Sequence, residues 1–113
     1  DFIISNRLMS MLAAQVSEEP DVLHVYNQLF DVGGSEIYLK PLKLYFESFP
    51  AEATFADLMA VAQNRGETCI GIKINKYQRN IDRNYGIKLI PEKNTTYTLE
   101  PDDHIVVLAT DES

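Results

Sequence analysis

The chain has 113 residues, of which 45% are hydrophobic and 24% are charged, and its formal net charge is −7. This length suits one domain with its own hydrophobic core, and the ordinary composition excludes disordered, collagen-like and disulfide-built scaffolds. The negative charge disfavours nucleic acid as a partner, because a protein that binds the phosphate backbone needs a basic surface. No stretch holds the roughly 18 apolar residues of a transmembrane helix, so we expect the chain itself to be soluble.

Residues 1–34 are predicted to form a pair of helices. In the first helix, apolar residues recur with the spacing of one helical face, and further apolar neighbours widen that face. A face this wide needs cover on more than one side, so we expect it to pack against a missing neighbouring segment or to form an interface with a second copy of the chain. The residues expected at this interface are Ile4, Leu8, Met11 and Leu12. Because the sequence begins with Asp1 instead of a methionine, directly before the helical pattern, we also expect the chain to be a piece of a longer protein.

The second helix of the pair is predicted from apolar residues at helical spacing between Val22 and Phe30. Residues 35–113 are then predicted to form a small sheet lobe. Its first strand is Glu36–Lys40, which alternates polar and apolar residues. Pro41 predicts an edge strand, a bulge or a strand end, because proline cannot donate to a ladder. The extended character is expected to resume in the segment 42–46, and further strands are predicted over 68–74, 86–90, 95–99 and 104–109.

One helix is predicted within the sheet lobe. Thr54 is a suitable N-cap, and Asp57 three residues later completes an approximate capping box. The helical pattern runs to Asn64, and Gly66 is a natural residue for its end. The order of elements therefore predicts an α/β chain of the α+β type, with a helical pair followed by a sheet and one packed helix.

A basic segment interrupts the otherwise acidic chain. Residues 73–93 contain six lysines and arginines but only two acidic residues, and residues 75–80 are too polar for anything but a loop or a hairpin tip. Lys76, Arg79 and Arg83 are the candidate ligands for an anion such as a nucleotide phosphate. The alternative is a solvated loop whose charges only maintain solubility.

No catalytic constellation is visible in the sequence. His24 and His104 have no metal-ligand or nucleophile partner at a recognisable spacing, so a structural or surface role is expected for both. Cys69 is the single cysteine and lies in an apolar run, which predicts a buried thiol. Asp102 and Asp103 are candidate ligands of a hard cation such as calcium, although a Pro-Asp-Asp sequence is also typical of a plain turn. We therefore predict that the chain is not an enzyme.

Five segments of the chain resemble, in the same order, the C-terminal part of Castor/Pollux-type ion channels and of their bacterial relatives. They are Ile-Ser-Asn-Arg-Leu-Met-Ser-Met at 4–11, Leu-Phe at 29–30, Gly-Ser-Glu-Ile-Tyr-Leu-Lys-Pro at 34–41, Gly-Glu-Thr-Cys-Ile-Gly at 66–71, and Leu-Glu-Pro-Asp-Asp-His-Ile-Val-Val-Leu-Ala at 99–109. The resemblance extends over nearly the whole chain. We expect the chain to come from a bacterial member of this family.

The family is similar to the channel-gating domains called RCK, and this resemblance implies two parts. Residues 1–34 look like the helical crossover and dimerisation segment, and residues 35–113 look like a TrkA-C lobe with a β-hairpin before its last strand. Asp102 stands where such lobes usually have glycine. The loop 75–84 also departs from the plant channels, so the resemblance implies no ligand contact there.

The resemblance implies a cytosolic regulatory domain that senses a ligand and gates a channel for potassium or another cation. Its expected partners are a second copy of the chain, and the Rossmann-like half and membrane pore of its parent protein. It implies no cofactor within this stretch and leaves a nucleotide or a divalent cation to the full-length protein. The alternative hypothesis is a small-molecule or nucleotide sensor lobe of a soluble regulator that is not linked to a pore.

Overall fold

The structure is a computed structural model that describes residues 36–110, apart from the side chain of residue 84, together with seven positions nearer the start. These seven positions are Arg7, Leu8, Ser10, Met11, Ala13, Ala14 and Glu18, and all of them are helical. The predicted interface residues Ile4 and Leu12 lie outside the described residues, as does the second predicted helix over 22–30. The helical pair therefore stays a prediction.

The described residues form a mixed α+β fold, which confirms the predicted class. Its strands are β1 (Glu36–Pro41), β2 (Ala51–Thr54), β3 (Thr68–Lys73), β4 (Ile87–Leu89), β5 (Thr96–Leu99) and β6 (His104–Ala109), and its helix is α1 (Phe55–Gln63). Short 3₁₀ turns occupy Leu42–Leu44, Asn75–Tyr77 and Ile81–Gly86. In this part of the chain no helix is both long and apolar enough to span a bilayer.

Four strands form an antiparallel sheet in the order β1-β6-β3-β4, while β2 and β5 pair separately as a two-stranded sheet. Pro41 is the last residue of β1, and β1 is an edge strand, so the proline removes no ladder hydrogen bond from a central strand. The strand predictions over 36–40, 68–74, 86–90, 95–99 and 104–109 are therefore confirmed in type, with small changes at their ends.

The four-stranded sheet is buried on both faces, which explains why its central strands are almost continuously apolar. On β6, Ile105 and Val107 face a core that includes α1, whereas Val106 and Leu108 face a second core on the opposite side. Leu8 is fully buried in this second core. Leu8 thus packs against its own sheet, and the predicted interface with a second copy stays a prediction. Met11 packs half-buried against the same core.

Helix α1 begins with the predicted capping box. The Thr54 side chain accepts from the Asp57 backbone N–H at 3.1 Å, and the Asp57 carboxylate accepts from the Thr54 backbone N–H at 2.9 Å. Together these bonds satisfy two donors at the start of the helix. At the other end, Gly66 adopts a left-handed φ of 76°, the conformation for which glycine is the usual residue after a helix.

Three features of the sheet lobe differ from what the sequence predicted. The segment 42–46 is a 3₁₀ turn and loop instead of a strand, and the strand Ala51–Thr54 was not predicted. The expected β-hairpin before the last strand is also absent from the described residues, because β4 and β5 do not pair with each other. Instead, β4 pairs with β3 and β5 pairs with β2. These differences depend on pairing between segments that are distant in the sequence, which local strand propensity does not predict.

Candidate ligand groove and a buried ion pair

The polar segment 75–84, called the basic loop here, joins the antiparallel strands β3 and β4. The backbone N–H of Ile74 donates to the Gly86 carbonyl at 2.9 Å, and this bond closes the loop. Gly86 has a φ of 86°, and a Cβ atom there would collide with the Ile74 carbonyl oxygen. Glycine is therefore needed at the point where the loop returns to the sheet.

Asp102 and Asp103, predicted as metal ligands, bind the start of the basic loop. The two carboxylate oxygens of Asp103 accept from the backbone N–H groups of Asn75 at 2.8 Å and Glu100 at 2.9 Å. The Asp102 carboxylate accepts from the Asn75 side-chain amide at 2.7 Å. Over the described residues, no three His, Cys, Asp or Glu side chains are grouped as a metal site needs. The structure gives both aspartates a role in loop geometry.

Two of the three cations of the basic loop, Lys76 and Arg83, contact the same aromatic ring. The Arg83 guanidinium carbon lies 4.3 Å from the centre of the Tyr77 ring, and Lys76 Nζ lies 5.1 Å from it. Such cation–π contacts fix the direction of otherwise flexible side chains. The ring of Tyr85 is contacted from the N-terminal segment by Arg7, at 4.6 Å.

A groove of about 890 Å³ lies between the N-terminal segment, the basic loop and strands β3, β4 and β5. Its lining combines apolar, basic and hydroxyl-bearing side chains, and most small-molecule sites have such a mixture. The lining residues are Met11, Ala14, Glu18, Ile72, Ile74, Lys76, Tyr77, Arg83, Gly86, Ile87, Lys88, Leu89, Thr96, Tyr97 and Thr98. Three of them are basic and one is acidic, so the lining is positive in an acidic protein.

The structure separates the three residues predicted to bind an anion. Lys76 and Arg83 line the groove, whereas Arg79 is exposed and is not part of the lining. Lys88 on β4 was not among the predicted ligands, although it lies in the same basic stretch of sequence. Its side chain points out of an edge strand and lines the groove.

A second cluster of charged residues is buried, and sequence reasoning missed it. Lys40 Nζ lies 2.5 Å from a carboxylate oxygen of Glu67, and the two side chains are almost fully buried. The Tyr45 hydroxyl donates to the other Glu67 oxygen at 2.6 Å, and Arg65 contacts Glu67 at 3.5 Å. The alternation of Glu36–Lys40 predicts a strand that contains Lys40, but only the fold brings the Glu67 carboxylate next to the Lys40 side chain.

The electrostatic surroundings of this cluster favour one charge state. Burial by itself raises the pKa of the Glu67 carboxyl, but hydrogen bonds from Lys40 and Tyr45 outweigh burial and hold that pKa below its usual value. Burial and the Glu67 carboxylate raise the pKa of Tyr45 well above its usual value. Glu67 is therefore ionised and Tyr45 neutral at neutral pH.

Two further titratable groups have shifted pKa values. Cys69 is buried, as the sequence predicted, and burial raises its pKa to about 12, so the thiol is unreactive at neutral pH. Burial and the nearby charge of Lys73 lower the pKa of His104, against the opposing effect of Asp102 and Asp103. His104 lies at the start of β6, where its Nδ1 is buried without a hydrogen-bond partner among the described residues.

Comparison with known proteins gives the chain its relatives. It is 35% identical over 112 residues, 99% of its length, to the ion channel DMI1 of Medicago truncatula. Over 72% of its length it is 33% identical to the ion channel POLLUX and 30% identical to the ion channel CASTOR, both of Lotus japonicus. The chain belongs to the Castor/Pollux family of ion channels. No family model matches it.

The resemblance described from five sequence segments is therefore confirmed as a family relationship. The chain spans 12% of the length of DMI1 and 9% of the lengths of POLLUX and CASTOR. These relatives are named as channels and not as enzymes, which is consistent with the prediction of a non-enzyme. The bacterial source of the chain stays a prediction.

Proposed function

We propose that this member of the Castor/Pollux family is a cytosolic regulatory domain that senses a ligand and gates a channel for potassium or another cation. The single observation on which the proposal depends is the position of the groove. Its lining combines Met11, Ala14 and Glu18 of the N-terminal segment with the basic loop and the sheet. A ligand in this groove contacts two parts of the chain whose relative packing it can alter.

The proposed mechanism is a shift between two packing arrangements. A ligand changes such an equilibrium only if it binds one arrangement more tightly than the other. The N-terminal segment is in contact with the loop region through Arg7 on Tyr85 and with the sheet through the buried Leu8. A ligand held by Lys76 and Arg83 against Met11 therefore favours one position of that segment, and the parent protein transmits the change to its pore.

The remaining features of the proposal follow from the family resemblance. Residues 1–34 act as a helical crossover and dimerisation segment, and residues 35–113 act as a TrkA-C-like lobe. The domain works as a homo-oligomer beside a Rossmann-like half and the membrane pore of its parent chain, on the cytoplasmic side. Any nucleotide or divalent cation that serves as cofactor binds in that longer protein.

The proposal is tested by single-channel recording of the channel that contains this chain. We expect Arg83→Gln to change the open probability, because Arg83 lines the groove. Arg79→Gln removes the same charge from the same loop outside the groove, and we expect the wild-type open probability. Equal behaviour of wild type, Arg83→Gln and the double variant Lys76→Gln/Arg83→Gln would overturn the gating role.

The groove also supports the alternative, a small-molecule sensor lobe of a soluble regulator, because its lining does not depend on a pore. The two functions are distinguished by the same recordings combined with binding measurements. Ligand binding that depends on Arg83, without any effect of Arg83→Gln on conductance, would favour the soluble sensor.

A further inference from the structure

The basic side chains of the groove differ from Lys40 and Arg65 in their lack of carboxylate partners. Lys40 and Arg65 both pair with Glu67. Within residues 36–110 and the seven described N-terminal positions, no carboxylate oxygen lies within ion-pair distance of Lys76 or Arg83. Both contact the ring of Tyr77 instead. Their charges are therefore directed by an aromatic ring, and no acid of the described part of the chain neutralises them.

The geometry of Arg83 suits an oxyanion. A guanidinium stacked on an aromatic ring keeps its N–H donors around its edge, where they can bind two oxygens of a phosphate or carboxylate at once. Lys76 contributes a second positive charge at the same ring, and Lys88 contributes a third from β4. With Glu18 as the one acidic lining residue, the balance of charges matches a ligand with two negative charges.

The rest of the lining requires that the ligand also has an apolar part. Among the apolar and aromatic lining residues, Met11, Ile74 and Tyr97 are half-buried, whereas Ile72, Ile87 and Leu89 are already almost fully buried in the core. An inorganic anion would leave the exposed parts of Met11, Ile74 and Tyr97 in water, whereas an apolar body would gain roughly 25 cal/mol for each Å² of apolar surface it removes from water. Thr96 and Thr98 on β5 add exposed hydroxyl groups along the same groove.

The size of the groove limits the ligand to a small molecule. Its volume of about 890 Å³ lies within the range of roughly 300–1,000 Å³ that is typical of small-molecule sites. A polymer would need a longer basic surface, and the remainder of the chain is acidic.

From these observations we propose that the groove binds a phosphate monoester with an apolar body, the phosphate at Lys76, Arg83 and Lys88 and the body against Met11, Ile74 and Tyr97. This inference deepens the proposed function, because it names the class of ligand that the domain senses. Its regulatory meaning rests on that function, but the binding itself can be measured on the 113-residue chain.

The first experiment is isothermal titration calorimetry of the chain with three matched probes. 1-Naphthyl phosphate has both the charge and the apolar body, inorganic phosphate has only the charge, and 1-naphthol has only the body. We expect 1-naphthyl phosphate to bind at least about tenfold more tightly than inorganic phosphate or 1-naphthol. Inorganic phosphate can contact only the basic side chains, and 1-naphthol can contact only the apolar ones. Equal affinity for inorganic phosphate, or no heat with 1-naphthyl phosphate at millimolar concentration, would overturn the proposal.

Variants test where the ligand binds. We expect Arg83→Gln to weaken binding of 1-naphthyl phosphate about tenfold, because it removes a charge-assisted hydrogen bond. The matched control is Arg79→Gln, for which we expect an affinity within about twofold of wild type, because only screened long-range charge is lost. Thermal unfolding of both variants checks that the fold is intact. Equal loss in the two variants would show nonspecific attraction and overturn the assignment to the groove.

Two natural sources of such a ligand are distinguished by further titrations. Adenosine monophosphate represents a free nucleotide, and a lysophosphatidate below its critical micelle concentration represents a lipid. We expect one of them to bind more tightly than inorganic phosphate, and the tighter one identifies the source. If neither does, the proposed ligand class is wrong. Binding that survives while channel recordings show no effect of Arg83→Gln would refute the gating function alone.

Discussion

Two clusters of cations and tyrosines lie in different parts of this fold and differ in one component. In the buried cluster, Glu67 pairs with Lys40 and accepts from Tyr45, so each charge has a partner. In the basic loop, Lys76 and Arg83 contact Tyr77 without a carboxylate among the described residues. The first cluster is part of the core, and the second lines a groove.

The difference shows which charges can serve a ligand. Ions buried in a core must be paired, because an unpaired one costs several kcal/mol in lost hydration. Charges at a groove keep part of their hydration and can exchange water for a ligand. The buried pair is therefore expected to control stability, and the basic loop is expected to control binding.

The largest expected effect comes from breaking the buried pair. Glu67→Gln leaves the Lys40 charge buried beside a neutral amide, and we expect it to lower the free energy of unfolding by about 3–5 kcal/mol. Urea denaturation followed by circular dichroism measures this change. The double variant Lys40→Met/Glu67→Gln removes both charges, and we expect it to recover most of the loss. A single variant as stable as wild type would show that Lys40 reaches water easily.

A smaller effect is expected from the glycine that closes the basic loop, and the chain offers a matched control. Gly66 and Gly86 both have left-handed φ values, 76° and 86°, so alanine costs about 1–2 kcal/mol at each. At Gly66 the new Cβ has no atom within 4 Å, whereas at Gly86 it collides with the Ile74 carbonyl. We therefore expect Gly86→Ala to cost about 1–3 kcal/mol more than Gly66→Ala in the same denaturation experiment. Equal losses would mean that the loop adapts freely.

The smallest expected effect concerns pH, through His104 beside the aspartates that hold the loop. Burial and Lys73 lower its pKa in the folded protein, while Asp102 and Asp103 oppose this. The unfolded chain therefore binds the proton at higher pH, so the contribution of His104 to stability is complete above about pH 6.5 and falls as the pH decreases below that value. We expect His104→Gln to make the decrease between pH 7 and pH 5 shallower.

The matched control for this pH dependence is His24→Gln, which removes the other histidine of the chain. Free energies of unfolding at several pH values measure the slope for each protein. If His104→Gln and wild type have the same slope, protonation of His104 is not coupled to folding, and the decrease belongs to the carboxylates.

Helix α1 and strand β1 were predictable because the residues that determine them are close neighbours in the sequence. The capping box of Thr54 and Asp57 begins helix α1 where it was predicted, and the alternation of Glu36–Lys40 marks a strand. Asp103 shows the limit of such reasoning. Its position after Pro101 indicated a turn or a metal ligand, but its two bonds to backbone N–H groups depend on Asn75, 28 residues earlier in the chain.

The sequence by itself determined the α+β class, the helix, most strands, the family and the basic stretch that includes the groove cations. Only the tertiary structure decided that Lys40 meets Glu67, that Leu8 is core, and that Arg83 lines the groove while Arg79 does not. The physical reason is the distance along the sequence over which each interaction acts. Caps, turns and alternation depend on a few neighbouring residues, whereas strand order and ion pairing depend on which distant segments bury apolar surface together.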